Sequence, residues 1–133
     1  MGIRPNAAQV QQLAMAADKG PVVMLNLLKF KGRSDGGSGS GREAYQRYGD
    51  DAMRMIEERG GRLLWQGRAD QVLIGDASQE WDAVALVEYP SQQAFIEMVS
   101  SPAYQKSHSH RDDGLERTIV IACTPQVNIL QGS

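Results

Sequence analysis

The sequence contains a single cysteine, Cys123, so no disulfide can form within the chain. Residues 1–12 also lack the basic segment and the apolar segment that together make a secretory signal peptide. No apolar run approaches the roughly 18 residues that a membrane-spanning helix needs. We therefore expect a cytoplasmic protein that has no membrane partner.

An excess of basic charge is missing as well. Fourteen Lys and Arg residues stand against sixteen Asp and Glu residues, which gives a formal net charge of -2 at pH 7. No stripe of Lys and Arg stands out along the chain, whereas proteins that bind phosphate backbones usually carry one. We therefore expect no nucleic-acid partner.

Motifs for phosphate or metal binding are absent or badly placed. Residues 39–44 match G-x-G-x-x-A, but they lie too far beyond the nearest predicted strand to form a pyrophosphate-binding turn. Residues 108–113 (HSHRDD) could converge on a metal only if they were extended. We interpret them as a helix end or loop in which Arg111 orients an anion or a carbonyl group. The sequence predicts no metal and no cofactor.

The composition is close to that of an average globular domain. Of the 133 residues, 41% are hydrophobic and 23% are charged, which is enough apolar material to bury one core without disulfides or metal. A second domain has no room at this length. We expect a single domain over residues 1–133.

Hydrophobic periodicity predicts alternating helices and strands. A possible capping box at Asn6 and Gln9 begins an N-terminal helix extension within residues 1–20. After it we expect a strand at 22–30, a mobile Gly/Ser loop at 31–41 that could act as a lid, and a helix at 42–60. Strand pieces at 62–65 and 71–74 around a turn at Gly67 follow, and then a strand at 83–89. The remaining predicted elements are a helix at 91–99, a new turn from Pro102 and a strand at 117–123. Residues 126–133 form a tail of uncertain structure.

The order of these elements predicts an α+β fold of the ferredoxin-like type. Its βαββαβ plan gives an antiparallel sheet with helices on one face. The strands are nevertheless apolar on both faces; in the first strand, Val23 and Leu25 lie opposite Met24 and Leu28. An antiparallel sheet with one wet face should alternate apolar with polar residues, so the second face needs a cover. The simplest cover is the sheet of a second copy, which predicts a homodimer.

Six stretches of the sequence occur together in an order typical of a known family. They are PVVMLNLLKF, REAYQRYG, GGRLLWQG, VLIGD, WDAVALVEYPSQQAF and SPAYQ, and they span roughly residues 22–125. In these stretches the chain resembles the domain-of-unknown-function 1330 family of the dimeric α+β barrel superfamily. The resemblance implies the fold and the dimer. Superfamily relatives include cofactor-free monooxygenases, lactone isomerases and haem proteins, so the fold by itself implies no single chemistry.

Polar residues within apolar strands are the first candidates for a site. Asn26 and Glu88 need partners because the burial of an unpaired polar group costs several kcal/mol. Their strands should be central neighbours, so we expect both side chains to face each other on the helical side. A polar contact between strands or subunits is the alternative. The predicted site is one cavity within each subunit, lined by at least three of the residues Asn26, Tyr48, Trp65, Glu88, His110 and Arg111, with Tyr45 and Tyr104 as further aromatic walls.

Two functions fit this predicted site. The first is a cofactor-free small-molecule enzyme of monooxygenase or isomerase type, in which His110 or Glu88 is the catalytic base and Arg111 and Asn26 hold an enolate or polarise a carbonyl. The alternative is a non-catalytic dimer that binds a small organic ligand or regulates another process. RNA binding is disfavoured, because the strand at 83–89 offers only Tyr89 for base stacking.

Overall fold

The helices and strands alternate along the chain in a computed structural model that describes residues 6–15, 20–33, 39–76 and 80–127. In chain order they are α1 (Ala7–Ala14), β1 (Val22–Phe30), α2 (Gly41–Glu58), β2 (Arg62–Arg68), β3 (Ala83–Tyr89), α3 (Gln92–Ser100), α4 (Pro102–Gly114) and β4 (Leu115–Cys123). None of the helices in these ranges is long and apolar enough to cross a membrane.

The four strands form one antiparallel sheet in the order β2-β3-β1-β4. Helices α2, α3 and α4 pack on one face of it, and the chain order is the βαββαβ plan with an additional helix in front. The predicted ferredoxin-like α+β fold is confirmed. The core between sheet and helices is formed mainly by Val22, Met24, Tyr48, Ala52, Met55, Ile56, Tyr89, Met98 and Tyr104.

Local capping signals fix where the helices begin. The Asn6 side chain accepts a hydrogen bond from the Gln9 amide at 2.8 Å, and the Gln9 side chain accepts one from the Asn6 amide at 3.1 Å, so the predicted capping box is present. Ser40 and Glu43 form the same arrangement at the start of α2. Those hydrogen bonds hold the pKa of Glu43 below its usual range. Residues 39–44, which match a dinucleotide motif, therefore form a capped helix start.

The second strand differs from its predicted form. β2 continues through Gly67 to Arg68 because both residues pair with β3, so the predicted turn at Gly67 is wrong. The predicted strand piece at 71–74 is also wrong. Leu73 is 82% exposed and Ile74 is 91% exposed, and neither pairs with a described strand. A periodic apolar pattern without a neighbouring strand edge does not form a strand.

Helix α4 is the largest departure from the predicted elements. Ser101 caps it by accepting a hydrogen bond from the Tyr104 amide at 3.2 Å, and Pro102 occupies its first turn. It continues for 13 residues to Gly114, so residues 108–113 form the C-terminal end of a helix, as predicted, but His108 and Arg111 are buried there and not solvated. This helix carries much of the site described below.

The end of β1, the start of α2 and the end of α4 meet at one tight junction. The Lys31 amide donates to the Gly114 carbonyl at 2.8 Å, and the Gly41 amide donates to the Lys31 carbonyl at 3.1 Å. A Cβ atom at Gly41 or Gly114 would overlap backbone atoms, so only glycine fits at either position. The lid prediction concerns the loop at 31–41, of which residues 34–38 lie outside the described residues.

The other face of the sheet, here called the outer face, is apolar. It carries Leu25, Leu27, Trp65, Val84, Leu86, Ile119 and Ile121. Ile121 on the edge strand β4 is 49% exposed and Trp65 on the edge strand β2 is 48% exposed, whereas the outer-face residues Leu25, Leu27, Val84 and Leu86 of the two central strands are half-buried. No helix of the described part of the chain packs over this face.

Candidate active site

A cavity of about 760 Å³ lies between the helical face of the sheet and the helices. Residues from all four strands and all four helices contribute to its wall. Cavities of this size are typical of sites for small organic molecules. The position of the cavity follows from the fold, since the sheet forms its floor and α2 and α4 lie across it.

Three side chains of α4 point to this cavity. Tyr104, His108 and Arg111 are spaced at i, i+4 and i+7, so they lie on one face of the helix, and all three line the cavity. His108 is only 4% exposed and Arg111 only 6% exposed. A histidine and an arginine are thus buried side by side against an aromatic wall.

Two phenols form the centre of that aromatic wall. The hydroxyls of Tyr48 and Tyr104 are 2.8 Å apart and hydrogen-bonded, and their rings meet edge to face with centroids 5.9 Å apart. Burial raises the pKa of Tyr48 well above its usual value, and the neighbouring Tyr104 contributes in the same direction. Burial likewise raises the pKa of Tyr45 to about 12. Tyr45 and Tyr48 therefore stay protonated at neutral pH, where they serve as hydrogen-bond donors and not as bases.

The imidazole of His108 lies against a carboxylate from the next turn of α4. Its Nδ1 atom is 3.1 Å from Asp112 Oδ1, and its ring contacts the ring of Tyr104 with centroids 5.5 Å apart. A carboxylate at Nδ1 favours the tautomer whose proton is on Nδ1, which leaves the basic lone pair on Nε2. The two groups thus lie at ion-pair distance, one turn apart on α4.

Positive charge is concentrated at the same end of the cavity. The guanidinium carbon of Arg111 is 5.9 Å from the centroid of the Tyr48 ring, and that of Arg42 is 4.6 Å from the centroid of Phe30. Arg111 is buried, whereas Arg42 is exposed and lies at the rim. A guanidinium in surroundings of low dielectric constant attracts a carboxylate or an enolate more strongly than one in water.

Of the residues predicted for the site, Asn26, Tyr48 and Arg111 line the cavity. The Asn26 side-chain nitrogen donates to the carbonyl oxygens of Met24 at 3.0 Å and Ala85 at 3.3 Å. Both of its amide hydrogens are therefore engaged, and Asn26 can offer a ligand only its oxygen atom. The predicted role of Asn26 as a donor to a carbonyl or enolate is not available in this arrangement.

Glu88 does not line the cavity, and the prediction that it faces Asn26 is wrong. Asn26 pairs with Ala85, whereas Glu88 pairs with Val23 and shares the outer face with it. Adjacent residues of a strand point to opposite faces, so an error of one residue in the register moved Glu88 to the wrong side. Its Oε1 atom accepts from Arg62 Nε at 3.1 Å, which makes it a cross-strand ion pair.

Trp65 and His110 do not line the cavity either. A bulge in β2 places Trp65 opposite Leu86 on the outer face, where its ring covers Gly67. His110 is two residues beyond His108, roughly 200° around the helix, and it is partly exposed. The histidine of the site is His108, which the sequence analysis did not select. The signal that could have found it is the helical spacing of Tyr104, His108 and Arg111.

Within the described ranges, no group of three or more His, Cys, Asp or Glu side chains is placed to hold a metal ion. The two histidines of residues 108–113 point away from each other, since they are two residues apart on a helix. The expected absence of metal and cofactor stays a prediction.

Comparison with known proteins identifies relatives by sequence and by fold. A solved protein of unknown function from Rhodopseudomonas palustris is 34% identical, with a TM-score of 0.88 over 95% of this chain and 98% of that chain. A dabb family protein with a ferredoxin-like fold from Mesorhizobium loti is 17% identical, with a TM-score of 0.55 over 82% of this chain and 100% of that chain. SnoaB, a cofactor-independent oxygenase from Streptomyces nogalater, is 11% identical, with a TM-score of 0.55 over 83% of this chain and 97% of that chain.

The last two similarities show the fold alone, and no curated protein matches the chain. The family described as "Domain of unknown function (DUF1330)" matches residues 40–124, which include α2, the three later strands and all of α4. This range is more than half of the chain, and it contains most of the polar wall of the cavity. The resemblance seen in the sequence is confirmed: the chain belongs to the DUF1330 family.

Proposed function

We propose that the protein is a cofactor-free enzyme, of isomerase or monooxygenase type, that removes a proton from a small organic molecule bound in the cavity. The observation that carries this proposal is the convergence of a buried imidazole, His108 next to the Asp112 carboxylate, and a buried guanidinium, Arg111, on one wall. Enolisation requires a general base and, beside it, a group that stabilises the developing negative charge. SnoaB, which has a similar fold, supports the proposal only by analogy.

In the proposed step, His108 Nε2 takes a proton from a carbon next to a substrate carbonyl. The electron pair of the broken C–H bond moves into the carbonyl group, and the resulting enolate oxygen is held by Arg111 and by a phenol of the Tyr48–Tyr104 pair. Return of the proton to a different carbon completes an isomerisation. In an oxygenase, the enolate would react with molecular oxygen instead.

The experiment is proton exchange followed by NMR in deuterium oxide, with a panel of alkyl phenyl ketones and 1,3-diketones as probes. We expect the protein to accelerate loss of the signal of the proton next to the carbonyl. His108→Gln should lower this rate by roughly 100-fold or more, because general base catalysis contributes about 10² to 10⁴. His110→Gln is the matched control and should have little effect, since His110 is outside the cavity.

Equal exchange rates for the unmodified protein and for His108→Gln across the panel would contradict the proposal. If the same ketones bound without any exchange, the alternative function would be favoured, namely a non-catalytic protein that binds or senses a small ligand. Binding can be measured independently by calorimetry.

We further propose that two copies associate through their outer faces, as the family resemblance implies. The proposal is supported by apolar residues on every strand of that face and by their exposure, which for Ile121 reaches 49%. The same face of a second copy is the partner of matching size and chemistry in a twofold arrangement. A cytoplasmic location is part of this proposal, because a single cysteine suits a reducing compartment.

A further inference from the structure

The cavity has two chemically different ends. One end, near the start of α2 and the end of α4, holds Arg111, His108 and Thr118, together with the Tyr48–Tyr104 pair. The other end, near the second half of α2, is lined mainly by the apolar side chains of Val10, Leu13, Met53, Ile56, Phe95 and Val99. The polar Gln9 and Gln46 and the exposed Asp50 also line the cavity. A ligand that fills the cavity must therefore match a cationic end and an apolar end.

Helix α1 contributes apolar side chains to the wall of the second end. Its sequence, AAQVQQLA, contains no charged residue, and it packs against α3. Leu13 packs against the main core cluster, while Val10 and Leu13 both line the cavity. No residue of α1 is fully buried, so this short helix covers the cavity from the edge of the core. An apolar group of a ligand would pack favourably against these side chains of α1.

We propose that the ligand is an amphipathic organic acid. Its acidic head, a carboxylate or an enolic oxygen, binds at Arg111, and its alkyl or alkenyl tail runs along α2 to the wall formed by α1 and α3. This inference rests on the proposed function only in that both use the same cavity and the same head position. It assigns a ligand class, and the proton chemistry is not needed for it.

The size of the cavity agrees with such a ligand. At roughly 30 Å³ per non-hydrogen atom, the share of one water molecule in the liquid, a volume of about 760 Å³ holds at most about 25 such atoms. A polar head with a tail of several carbons therefore fits.

The head is tested by isothermal titration calorimetry with sodium butanoate, hexanoate, octanoate and decanoate below their micelle concentrations. We expect Kd to fall about fourfold per added methylene until the apolar end is filled. Arg111→Met should weaken octanoate roughly tenfold or more, because a charge-assisted hydrogen bond is lost. The same variant should leave the binding of 1-octanol, which has the tail without the charge, within about twofold.

The tail is tested at α1. Leu13→Asp places a charge at the apolar end, and we expect it to weaken decanoate at least about tenfold while butanoate binding stays within about twofold. Gln12→Asp adds the same charge to the exposed side of the same helix and should change neither ligand. Leu13→Ser provides a second variant without added charge, and circular dichroism confirms that each variant folds.

The inference would be overturned by equal affinities along the series of acids. It would also be overturned if Arg111→Met lowered the affinities for octanoate and for 1-octanol by the same factor. The proton-exchange experiment stands apart from these measurements. Binding that depends on tail length without exchange would overturn the proposed catalysis and leave the ligand class standing. Proton exchange without any dependence of binding on tail length would overturn the ligand class and leave the proposed catalysis standing.

Discussion

Burial of the tyrosine side chains gives single residues a measurable influence on the stability of this protein. Burial is the main cause that raises the pKa of Tyr45 to about 12 and that raises the pKa values of Tyr48 and Tyr89 well above the usual value for tyrosine. An unfolded tyrosine loses its proton near pH 10. Above that pH the unfolded chain therefore holds fewer protons than the folded chain, and stability falls as pH rises.

We predict that the free energy of unfolding is nearly independent of these phenols up to about pH 9. Above pH 10 each of them should lower it by about 1.4 kcal/mol per pH unit, until its folded-state pKa is reached. Urea denaturation at a series of pH values measures the slope. Tyr89→Phe removes one of the three phenols and should reduce the slope by the contribution of that phenol, about 1.4 kcal/mol per pH unit. Absorbance at 295 nm showing every tyrosine of the folded protein ionised near pH 10 would contradict the prediction.

Among the elements of the fold, helix α4 is the one whose position depends most on contacts with neighbouring elements. Its inward face is largely polar, with Ser107, His108 and Arg111 buried beside Tyr104. Ser107 donates to Asp51 of α2 at 3.0 Å, and the glycine junction fixes the other end of the helix. The direction in which His108 and Arg111 point is therefore set by the contact between α2 and α4.

We predict opposite effects for two helical glycines replaced by alanine. Gly114→Ala should destabilise the protein by about 1–3 kcal/mol, because the added Cβ would overlap the Gly41 carbonyl and approach the Tyr45 nitrogen to 2.8 Å. Gly49→Ala, in the middle of α2, has no atom within 4 Å of the added Cβ and should stabilise by about 0.5–1 kcal/mol. Denaturant unfolding measures both. Equal effects would show that the junction tolerates a side chain.

The polar inward face of α4 also explains what could be predicted from the sequence and what could not. Helix starts were predictable because a cap such as Asn6 with Gln9 is a local interaction. Hydrophobic periodicity could not reveal a helix whose buried residues include His108 and Arg111. The face on which Glu88 lies depends on pairing with a distant strand, and a shift of one residue reverses it.

At the scale of the whole molecule, the outer face is the feature that the isolated subunit leaves unexplained. Large apolar side chains on every strand stand partly exposed across the sheet, while the helices cover only the opposite face. An exposed apolar surface of this extent is unfavourable in water. Association of two copies would remove it from solvent.

We predict that light scattering at micromolar concentration gives twice the 14.6 kDa mass of one chain. Ile121→Asp and Leu27→Asp each place a charge on the outer face and should give monomers or unfolded protein. Ile74→Asp is the matched control, because Ile74 is 91% exposed and lies outside the sheet, and it should remain dimeric. A stable monomer of the unmodified protein at that concentration would contradict the prediction.

The glycine junction has a consequence for how this chain can change in length. The backbone leaves the sheet at Lys31 and returns at Gly41, whose amide is bonded to the Lys31 carbonyl at 3.1 Å. The chain is thus fixed at both ends of this excursion, at Lys31 on one side and at Gly41 and the Ser40 cap of α2 on the other. Doubling the length of such an excursion costs only about 0.6 kcal/mol of closure entropy. Insertions there would leave His108 and Arg111 where they are, which makes this segment the natural point at which to splice in a reporter peptide.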